Sequence, residues 1–419
     1  MDNLKTHNAY LREVILSSNL TDDRQPIDLD RLDATMRDHF SIEDMRVAGS
    51  FFTGEALAQQ TLTSFCEPIS QNSIILDPTC GAGNLLIACS RQLDIKNTLS
   101  ETLKVWGKIL WGYDIYPFFV EASKLRIITD ILSRGAINDC CIETAISLLD
   151  NIKVKDALTL TKEELSSVTH AIINPPFTVC PSPKKNYWKT GKVNSAGVFL
   201  DIFVRTLPTN CNISAILPDV LRSGSRYVDF RTFIAKNIKG ICSVWGRFNS
   251  KTDVDVFVLS GILNENTVDG IKWIAEKPSS LSLSSLYDVR IGPLVAYRDP
   301  LKGPEYAYFH PKNTPAWEIV TNSNERRQFE GTVLKPPFVL IKRTSSPTDR
   351  FRASATVVNL KENVAVENHM MVVTPKSLKL SDCLILLDIL KSDATNSFLN
   401  ERIRLRHLTV SAVKDIPLN

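Results

Sequence analysis

The sequence predicts an α/β domain built on a parallel sheet, followed by a smaller α+β domain. From about residue 45 to 265, short apolar, β-rich runs alternate with segments of helical spacing. This alternation is typical of a parallel sheet covered by helices on both faces. After about residue 265, pairs such as Gly-Pro and Asp-Pro separate shorter β-prone pieces. This change in the sequence pattern indicates a second, less regular domain.

The first domain contains seven β-rich runs. They are SIILDP (73–78), ILWGYDI (109–115), NIKVKDA (151–157), HAIINPP (170–176), ISAILP (213–218), IKGICSVWGRF (238–248) and VDVFVLSGIL (254–263). Helical spacing is found at residues 84–93, 117–134 and 197–207. The turn FNSKTD joins the last two runs, so we expect an antiparallel hairpin at the end of the sheet.

The regions on either side of this domain differ from it in pattern. Residues 1–44 predict one or two polar helices with a turn near residues 25–26, and residues 266–419 form the second domain. Its β-prone pieces are IKWIAEK (271–277), PPFVLIKRT (336–344), ATVVNL (355–360) and HMMVVTP (369–375), with a helix near 382–392. The first domain is therefore predicted at 45–265.

Composition excludes several classes of protein. The 419 residues are 43% hydrophobic and 23% charged, as in ordinary globular proteins. No apolar run approaches the ~18–20 residues that span a membrane, and the N-terminus does not resemble a signal peptide. The nine cysteines include no C-x-x-C pair, which favours reduced thiols in a cytoplasmic protein and argues against a metal site.

Residues 281–419 carry 19 Lys+Arg and 14 Asp+Glu, an excess of +5 that hints at a polyanionic partner on that side.

Polar residues and glycines follow three successive β-rich runs. Asp77-Pro78-Thr79-Cys80-Gly81-Ala82-Gly83-Asn84 comes after the first run and opens a helix, so its glycines allow a backbone close to a ligand. A tight turn alone would explain that loop equally well. Asp114 ends the second run, where a carboxylate can accept both hydroxyls of a ribose, and Asp156 ends the third, where it can accept an adenine amino hydrogen. Three such strand ends in succession favour a nucleoside site at this edge of the sheet.

Asn174-Pro175-Pro176-Phe177 ends the fourth run. An amine on an aromatic ring is a poor nucleophile, because its lone pair is delocalised into the ring. Two acceptors on its N–H bonds favour a pyramidal nitrogen, and the Asn174 side-chain oxygen and the Pro175 carbonyl can be those acceptors. Phe177 offers a face on which a planar base can stack.

The order of these motifs resembles that of the S-adenosylmethionine-dependent N6-adenine DNA methyltransferases with a target-recognition region after the catalytic domain. The matching pieces are FFTGEALAQQTL (51–62), DPTCGAGNLL (77–86), GYDIYP (112–117), KDAL (155–158), INPPF (173–177) and ILPDVL (216–221). The resemblance covers roughly 45–265 firmly. It is looser over the C-terminal domain, where RHLTVSAVKDIPLN (406–419) looks like the end of a restriction-modification target-recognition domain. It implies a Rossmann-like class I methyltransferase sheet.

The resemblance also implies roles for individual residues. The implied S-adenosylmethionine site consists of Thr53, Asp77, Gly81, Gly83, Asp114, Ile115 and Asp156. Asn174, Pro175 and Phe177 would form the catalytic set. A second aromatic wall for a flipped base is expected at Phe199, with Tyr187 or Trp188 as alternatives, although Phe199 is equally well explained as core. Thr79 departs from the family, which often has Ala there, and a loop should tolerate it.

Basic residues suggest where double-stranded DNA would bind. IKRTSSPTDRFRA (341–353) contains Lys342, Arg343, Arg350 and Arg352, although a solvated loop is the commoner explanation of such a run. Arg222 and Arg226 follow the fifth β-rich run. Lys335-Pro336-Pro337-Phe338 repeats Pro-Pro-Phe without the Asn, and a Lys cannot accept hydrogen bonds, so we interpret it as structural.

Two alternative functions remain open at this stage. Asn-Pro-Pro-aromatic also suits enzymes that methylate a glutamine amide in protein, and an RNA substrate is a further variant. The chain could instead be a non-catalytic binding protein that retains the fold. Whether a separate specificity or restriction subunit takes part is also left open; the built-in second domain favours a self-sufficient enzyme.

Overall fold

The computed structural model describes residues 2–17, 27–30, 52–249, 252–265, 267, 270–274 and 281–418. The chain divides into two compact units, residues 1–273 and 274–419, which are described separately below. Among the residues that the structure describes, no helix is both long and apolar enough to cross a membrane.

The first unit is built on a seven-stranded sheet. Its strands are β1 (Ile75–Asp77), β2 (Leu110–Asp114), β3 (Ile152–Val154), β4 (His170–Ile173), β7 (Asn212–Pro218), β8 (Ile238–Asn249) and β9 (Thr252–Leu263). The order across the sheet is β3-β2-β1-β4-β7-β9-β8. The pairs from β3 to β7 are parallel, whereas β9 is antiparallel to both of its neighbours. The predicted α/β, Rossmann-like sheet and its terminal hairpin are confirmed.

The strand order places a topological switch point in the middle of the sheet. The chain runs outward from β1 through β2 to β3, and then returns to the other side of β1 with β4. Open α/β sheets bind ligands in the crevice beyond the carboxyl ends of the strands at such a point. The fold therefore directs attention to the residues that follow β1 and β4.

Helices cover both faces of this sheet. They are α1 (Asp2–Ser17), α2 (Glu55–Thr63), α3 (Asn84–Ser90), α4 (Leu99–Ile109), α5 (Pro117–Ser133), α6 (Ile142–Leu148), α7 (Ser195–Thr206), α8 (Asp219–Ser223) and α9 (Val228–Asn237). Strand residues alternate between the two faces. Accordingly, Ile216 packs into one hydrophobic cluster, while Ala215 and Leu217 pack into the other. Burial on both faces explains why the β-rich runs are continuously apolar.

Helix α1 belongs to the first unit. The Arg12 guanidinium forms an ion pair with Glu121 on α5 at 2.7 Å, and Asn8 donates to the Phe118 carbonyl at 3.1 Å. Residues 2–17 are thus helical, as the sequence predicts for this region. The predicted turn near residues 25–26 and the predicted boundary at residue 45 lie outside the described residues.

Two features of the first unit were not anticipated from the sequence. Helices α4 and α6 lie on either side of β2 in the chain. Strands β5 (Val179–Pro181) and β6 (Lys192–Asn194) form a small antiparallel hairpin directly after the Pro-Pro-Phe segment of residues 175–177.

The second unit contains two further sheets. A five-stranded sheet has the order β10-β17-β14-β15-β12, and a three-stranded sheet has the order β13-β11-β16. The strands are β10 (Tyr287–Ile291), β11 (Glu305–Phe309), β12 (Ile319–Val320), β13 (Arg326–Gln328), β14 (Phe338–Lys342), β15 (Ala355–Val358), β16 (Val364–Val366) and β17 (Met370–Pro375). The helices are α10 (Leu283–Leu286), α11 (Leu380–Leu390), α12 (Asp393–Arg402) and α13 (Val410–Lys414). This α+β unit contains the predicted strands at 336–344, 355–360 and 369–375, each shortened at one end or both.

The β-prone piece predicted at 271–277 is not a strand where the structure describes it. Residues 271–274 form no ladder. Ile271 is buried in a hydrophobic cluster of the first unit, and the Trp273 indole N–H donates to the Arg231 carbonyl at 3.2 Å. Side-chain packing rather than strand pairing therefore explains the apolar character of this piece.

Candidate active site

A cleft lies at the carboxyl ends of β1 to β4, at the switch point of the sheet. The space between its lining residues, including its opening to solvent, is about 800 Å³. Its wall includes the side chains or backbone of Phe52, Thr53, Asp77, Pro78, Thr79, Cys80, Gly81, Asn84, Leu85, Asp114, Ile115, Tyr116, Lys155, Asp156, Ala157, Asn174, Pro176 and Phe199. Segments that are far apart in the chain meet here because parallel strands end at the same edge of the sheet.

The glycine loop between β1 and α3 forms the floor of the cleft. Gly81 and Gly83 have φ angles of +51° and +85°, in the left-handed region that favours glycine. A Cβ added to Gly83 would lie 2.4 Å from the Ser123 hydroxyl and 3.2 Å from the Ser123 backbone. Gly83 does not line the cleft, so in this structure it allows close packing on α5 while Gly81 faces the open space.

Asp114 and Asp156 stand at the ends of β2 and β3. The Asp114 carboxylate accepts the N–H of Gly81 at 3.1 Å and that of Tyr116 at 2.9 Å, and so holds the glycine loop in place. Burial raises the pKa of Asp114, and backbone N–H groups oppose that shift. One Asp156 oxygen accepts the Leu158 N–H at 2.9 Å. Between the two acids, Ile115 is 57% exposed and offers an apolar surface for a planar ring.

Asp77 is the most deeply buried acid of the cleft. Its side chain is 1% exposed, and burial raises its pKa to about 8, with a further contribution from the Asp114 charge. The N–H of Thr79 donates to it at 3.1 Å and opposes that shift. A buried carboxyl group beside a second one favours a cationic ligand and disfavours a phosphate.

Asn174 is held in the cleft from two sides. Its side-chain amide donates to the Thr53 hydroxyl at 2.9 Å, and its backbone carbonyl accepts the Thr79 hydroxyl at 3.1 Å. Thr53 itself is 2% exposed. Because the amide nitrogen bonds to Thr53, the orientation of the Asn174 side-chain oxygen is fixed as well.

The carbonyl groups that follow Asn174 are used differently. The Pro176 carbonyl accepts the Ser195 hydroxyl, and the Phe177 carbonyl accepts the Asn194 side-chain amide at 3.2 Å. No residue that the structure describes donates to the Pro175 carbonyl. Among the described residues, this carbonyl thus has no donor, although Pro175 itself is buried.

A buried polar network, which sequence reasoning missed, supports Thr53. The Asn84 side-chain amide donates to the Thr53 carbonyl at 2.7 Å. The Arg126 guanidinium donates to the Asn84 side chain and to the Ala82 carbonyl at 2.6 Å. Burial lowers the pKa of Arg126 to about 9. A single arginine inside the apolar helical run LRIITDIL is the sequence signal that could have identified it.

The aromatic residues predicted to hold a flipped base take separate places. Phe199 and Pro176 line the cleft, whereas Pro175 and Phe177 do not. The Phe177 ring packs edge-on against Phe248, with centroids 5.9 Å apart. In this structure Phe199 is therefore one of three aromatic residues that line the cleft, with Phe52 and Tyr116, and Phe177 packs against Phe248 instead.

The two alternatives to Phe199 lie in a separate aromatic cluster. Trp188 is 7% exposed and packs against Tyr227 and Phe230 at ring distances of 6.5 and 5.7 Å. The Tyr187 hydroxyl donates to Asp201. Neither residue lines the cleft, so we assign both to packing.

The predicted DNA-contacting arginines of the first unit differ in exposure. Arg222 is 1% exposed and forms an ion pair with Asp219 at 2.6 Å, so it is committed to the interior and we do not retain it as a DNA contact. Arg226 is exposed, and its guanidinium donates to the Thr190 carbonyl at 2.8 Å.

The basic segment of the second unit is divided in the same way. Arg350 is exposed and lies over the Phe351 ring, while Lys342 and Arg343 are half-buried. Arg352 is 0% exposed and donates to Ser345, Asn400 and the Leu405 carbonyl. A buried guanidinium with these partners does not reach a phosphate, so Arg352 has a structural role.

Comparison with known proteins gives structural similarity only. No protein-family model and no curated protein matches the chain. The chain is similar to the type IIG restriction endonuclease BpuSI, with 14% identity, a TM-score of 0.45 and coverage of 98% of this chain and 61% of that chain. The type IIL restriction-modification enzyme MmeI, solved in complex with DNA, has 11% identity and a TM-score of 0.47 over 99% of this chain and 67% of that chain.

A putative class I S-adenosylmethionine-dependent methyltransferase from Listeria monocytogenes is a third similar structure. It has 16% identity and a TM-score of 0.36, over 62% of this chain and 84% of that chain. The chain spans about three fifths of the length of BpuSI. These similar structures are thus two restriction enzymes and a putative class I methyltransferase, all at low sequence identity.

Proposed function

We propose that the chain is an S-adenosylmethionine-dependent methyltransferase that methylates N6 of adenine in double-stranded DNA. The observation that carries this proposal is the pair of acceptors beyond β4: the Asn174 side chain, fixed by Thr53 at 2.9 Å, and the Pro175 carbonyl, to which no described residue donates. Asn174 lines the cleft at the switch point, and Pro175 lies between it and Pro176, which also lines the cleft.

The other end of the cleft suits the donor. Asp77 and Asp114 favour a cation, Asp114 and Asp156 can accept ribose and base hydrogens, and Ile115 provides an apolar surface. When bound, S-adenosylmethionine would supply a methyl group on a positively charged sulfur. Thr53 and the glycine loop would position this methyl group. Thr53 is itself held in place, because its hydroxyl contacts Asn174 and its carbonyl contacts Asn84.

The chain's own residues would then prepare the amine. The Asn174 oxygen and the Pro175 carbonyl would each accept one N–H of the adenine amino group, which favours a pyramidal nitrogen and exposes its lone pair. Such preorganised acceptors lower a barrier without a charged base, because their orientation is fixed before the reaction. Phe199 would stack on a base that has left the duplex.

We favour DNA over the alternative substrates because of the second unit. A compact unit of residues 274–419, with Arg350 exposed and Lys342 and Arg343 half-buried, is available to read a sequence. Protein glutamine and RNA are the competing substrates, and a modification subunit that needs a specificity partner is the competing form of the same chemistry.

The deciding experiment offers one labelled donor to three substrates. The purified chain is incubated with labelled S-adenosylmethionine and, separately, duplex DNA of varied sequence, structured RNA or glutamine-rich protein. We expect label in DNA alone, recovered as N6-methyladenine after digestion. Label in a glutamine amide or in RNA would replace the substrate in this proposal, and a chain that binds no donor would favour a non-catalytic role.

A further inference from the structure

The hairpin that follows the proposed catalytic segment carries one sign of charge. Residues 178–194 contain four lysines and no aspartate or glutamate, whereas the whole chain has 49 basic and 46 acidic residues. Lys184, Lys185, Lys189 and Lys192 are all exposed. Among them, Lys189 forms an exposed ion pair with Asp229 at 3.2 Å. We call residues 178–194 the basic arm.

The basic arm is a folded element. Val179–Pro181 pairs with Lys192–Asn194, and the Ser182 N–H donates to the Gly191 carbonyl at 2.8 Å. Trp188 is buried against Tyr227 and Phe230 and fixes the turn to the body of the first unit. Lysines on a folded support lose less conformational entropy on binding a polyanion than lysines on a loose loop.

The base of the arm is bonded to the proposed catalytic segment. The Ser195 hydroxyl donates to the Pro176 carbonyl, and the Asn194 amide donates to the Phe177 carbonyl at 3.2 Å. Directly after the arm, α7 begins at Ser195 and carries Phe199 into the cleft. The arm thus connects residues 174–177 with Phe199, and a flipped base would lie between these two sides of the cleft.

We propose that the basic arm contacts the phosphate backbone of duplex DNA beside the cleft, and that this contact positions residues 174–177 through Asn194 and Ser195. This inference rests on the proposed function. A segment with four exposed lysines and no acid of its own can bind phosphates without regard to sequence, so it would complement a sequence-reading second unit.

The first test measures DNA binding as a function of salt, which needs no catalysis. Lys184, Lys185 and Lys192 are replaced together by Ala; the control replaces the exposed Lys104, Lys108 and Lys162. Each lost phosphate contact lowers the slope of log K against log salt by about 0.9. We expect the arm variant to lose about two to three units of slope and on the order of 100-fold in affinity at 0.1 M salt. The control should stay within about two-fold of wild type.

The outcomes separate the two proposals. An arm variant with the wild-type slope overturns the inference even if the protein methylates DNA. Binding of polyglutamate, an acidic polypeptide, is measured alongside. If the arm variant loses affinity for polyglutamate but binds DNA as wild type does, the inference is also overturned, and the arm is assigned to an acidic protein partner. If the slope changes as expected but the protein transfers no methyl group, the DNA contact of the arm is supported and the proposed function is wrong.

The positioning step has its own variant. Ser195→Ala removes the hydroxyl that contacts the Pro176 carbonyl and also Thr178. It leaves Asn194, whose side-chain oxygen accepts the Ala196 N–H at 3.0 Å at the start of α7. We expect kcat to fall by about 3- to 10-fold, the worth of one hydrogen bond, with the Kd for DNA unchanged. An unchanged kcat, or an equal change in DNA affinity, overturns the positioning step.

Discussion

The segments 174–177 and 335–338 share Pro-Pro-Phe and differ in where they stand relative to a strand. Asn174 follows the carboxyl end of β4, so its segment leaves the sheet at the ligand-binding edge. Lys335 precedes β14, whose first residue is Phe338. Phe338 is 0% exposed within a core cluster, whereas Phe177 is only partly buried and the neighbouring Pro176 lines the cleft.

The comparison shows that the two segments differ in the residue before the prolines and in their position relative to a strand. Asn174 contacts Thr53 in the cleft, whereas Lys335 is exposed and cannot accept a hydrogen bond. In both segments the prolines restrict the backbone, which in one case presents acceptors and in the other leads the chain into a sheet.

The largest expected effect separates the two segments by activity. Asn174→Ala removes one of the two proposed acceptors, and loss of one such preorganised group costs about 10²–10³-fold in kcat. Lys335→Ala, the matched change in the other segment, should leave methyl transfer to DNA unchanged. Steady-state kinetics on both variants, with thermal unfolding to confirm that each is folded, makes the test. Equal activities for the two variants would show that residues 174–177 are no more important for methyl transfer than residues 335–338.

The second effect separates the segments by stability. Phe338→Ala should lower the free energy of unfolding by about 3–5 kcal/mol, because it empties a fully buried position. Phe177→Ala should cost less, because this residue is only partly buried, although its ring packs edge-on against Phe248. Urea unfolding of both variants gives the comparison. A larger loss for Phe177→Ala would mean that the segment after β4 is the better-packed one.

The sequence allowed prediction of the strand ends and of the residues that meet at them. Residues such as Asp77, Asp114 and Asn174 stand directly after apolar runs, and a parallel sheet brings such positions together whatever their separation in the chain. Side-chain burial was harder to predict. Arg222 and Arg352 resemble solvated arginines in the sequence, but they are buried beside partners, Asp219 and Asn400, whose role only the folded chain reveals.

The basic arm and the role of Thr79 also could not be predicted from the sequence. The strands of the arm are only three residues long, and Pro181 interrupts the β pattern, so no alternation is visible. Thr79 was expected to be merely tolerated in its loop. Its hydroxyl instead donates to the Asn174 carbonyl at 3.1 Å, across 95 positions of sequence.

The third prediction uses the acid at the end of β1 to sharpen the contrast between the ligand-binding edge and the rest of the sheet. Burial raises the pKa of Asp77 to about 8, so the folded protein retains a proton that the unfolded chain loses near pH 4. The contribution of Asp77 to stability therefore falls as the pH rises from about 4 to about 8. Asp77→Asn removes this dependence and keeps an oxygen for the Thr79 N–H.

The expected result is a stability difference that depends on pH. At pH 8.5 Asp77→Asn should unfold with a free energy at least ~1.4 kcal/mol above wild type, the worth of a single pKa unit, and near pH 4 the two should converge. Donor binding should weaken at the same time, since a carboxyl group facing a cation is lost. Urea unfolding at both pH values measures the difference; a gap of constant size would show that Asp77 is ionised in the folded protein throughout.

The smallest effect tests whether the segment after β4 is held from the glycine loop. Thr79→Val removes the hydroxyl that donates to the Asn174 carbonyl, and Thr79→Ser restores a hydroxyl at the same position. We expect kcat to fall by about 3- to 10-fold in Thr79→Val, the worth of one hydrogen bond, and to recover in Thr79→Ser. The KM for the donor should change little if the bond acts on Asn174 rather than on the glycine loop. A rise in that KM with kcat unchanged would instead assign Thr79 to the donor end of the cleft, and residues 174–177 would then owe their position to Thr53 and to the base of the basic arm.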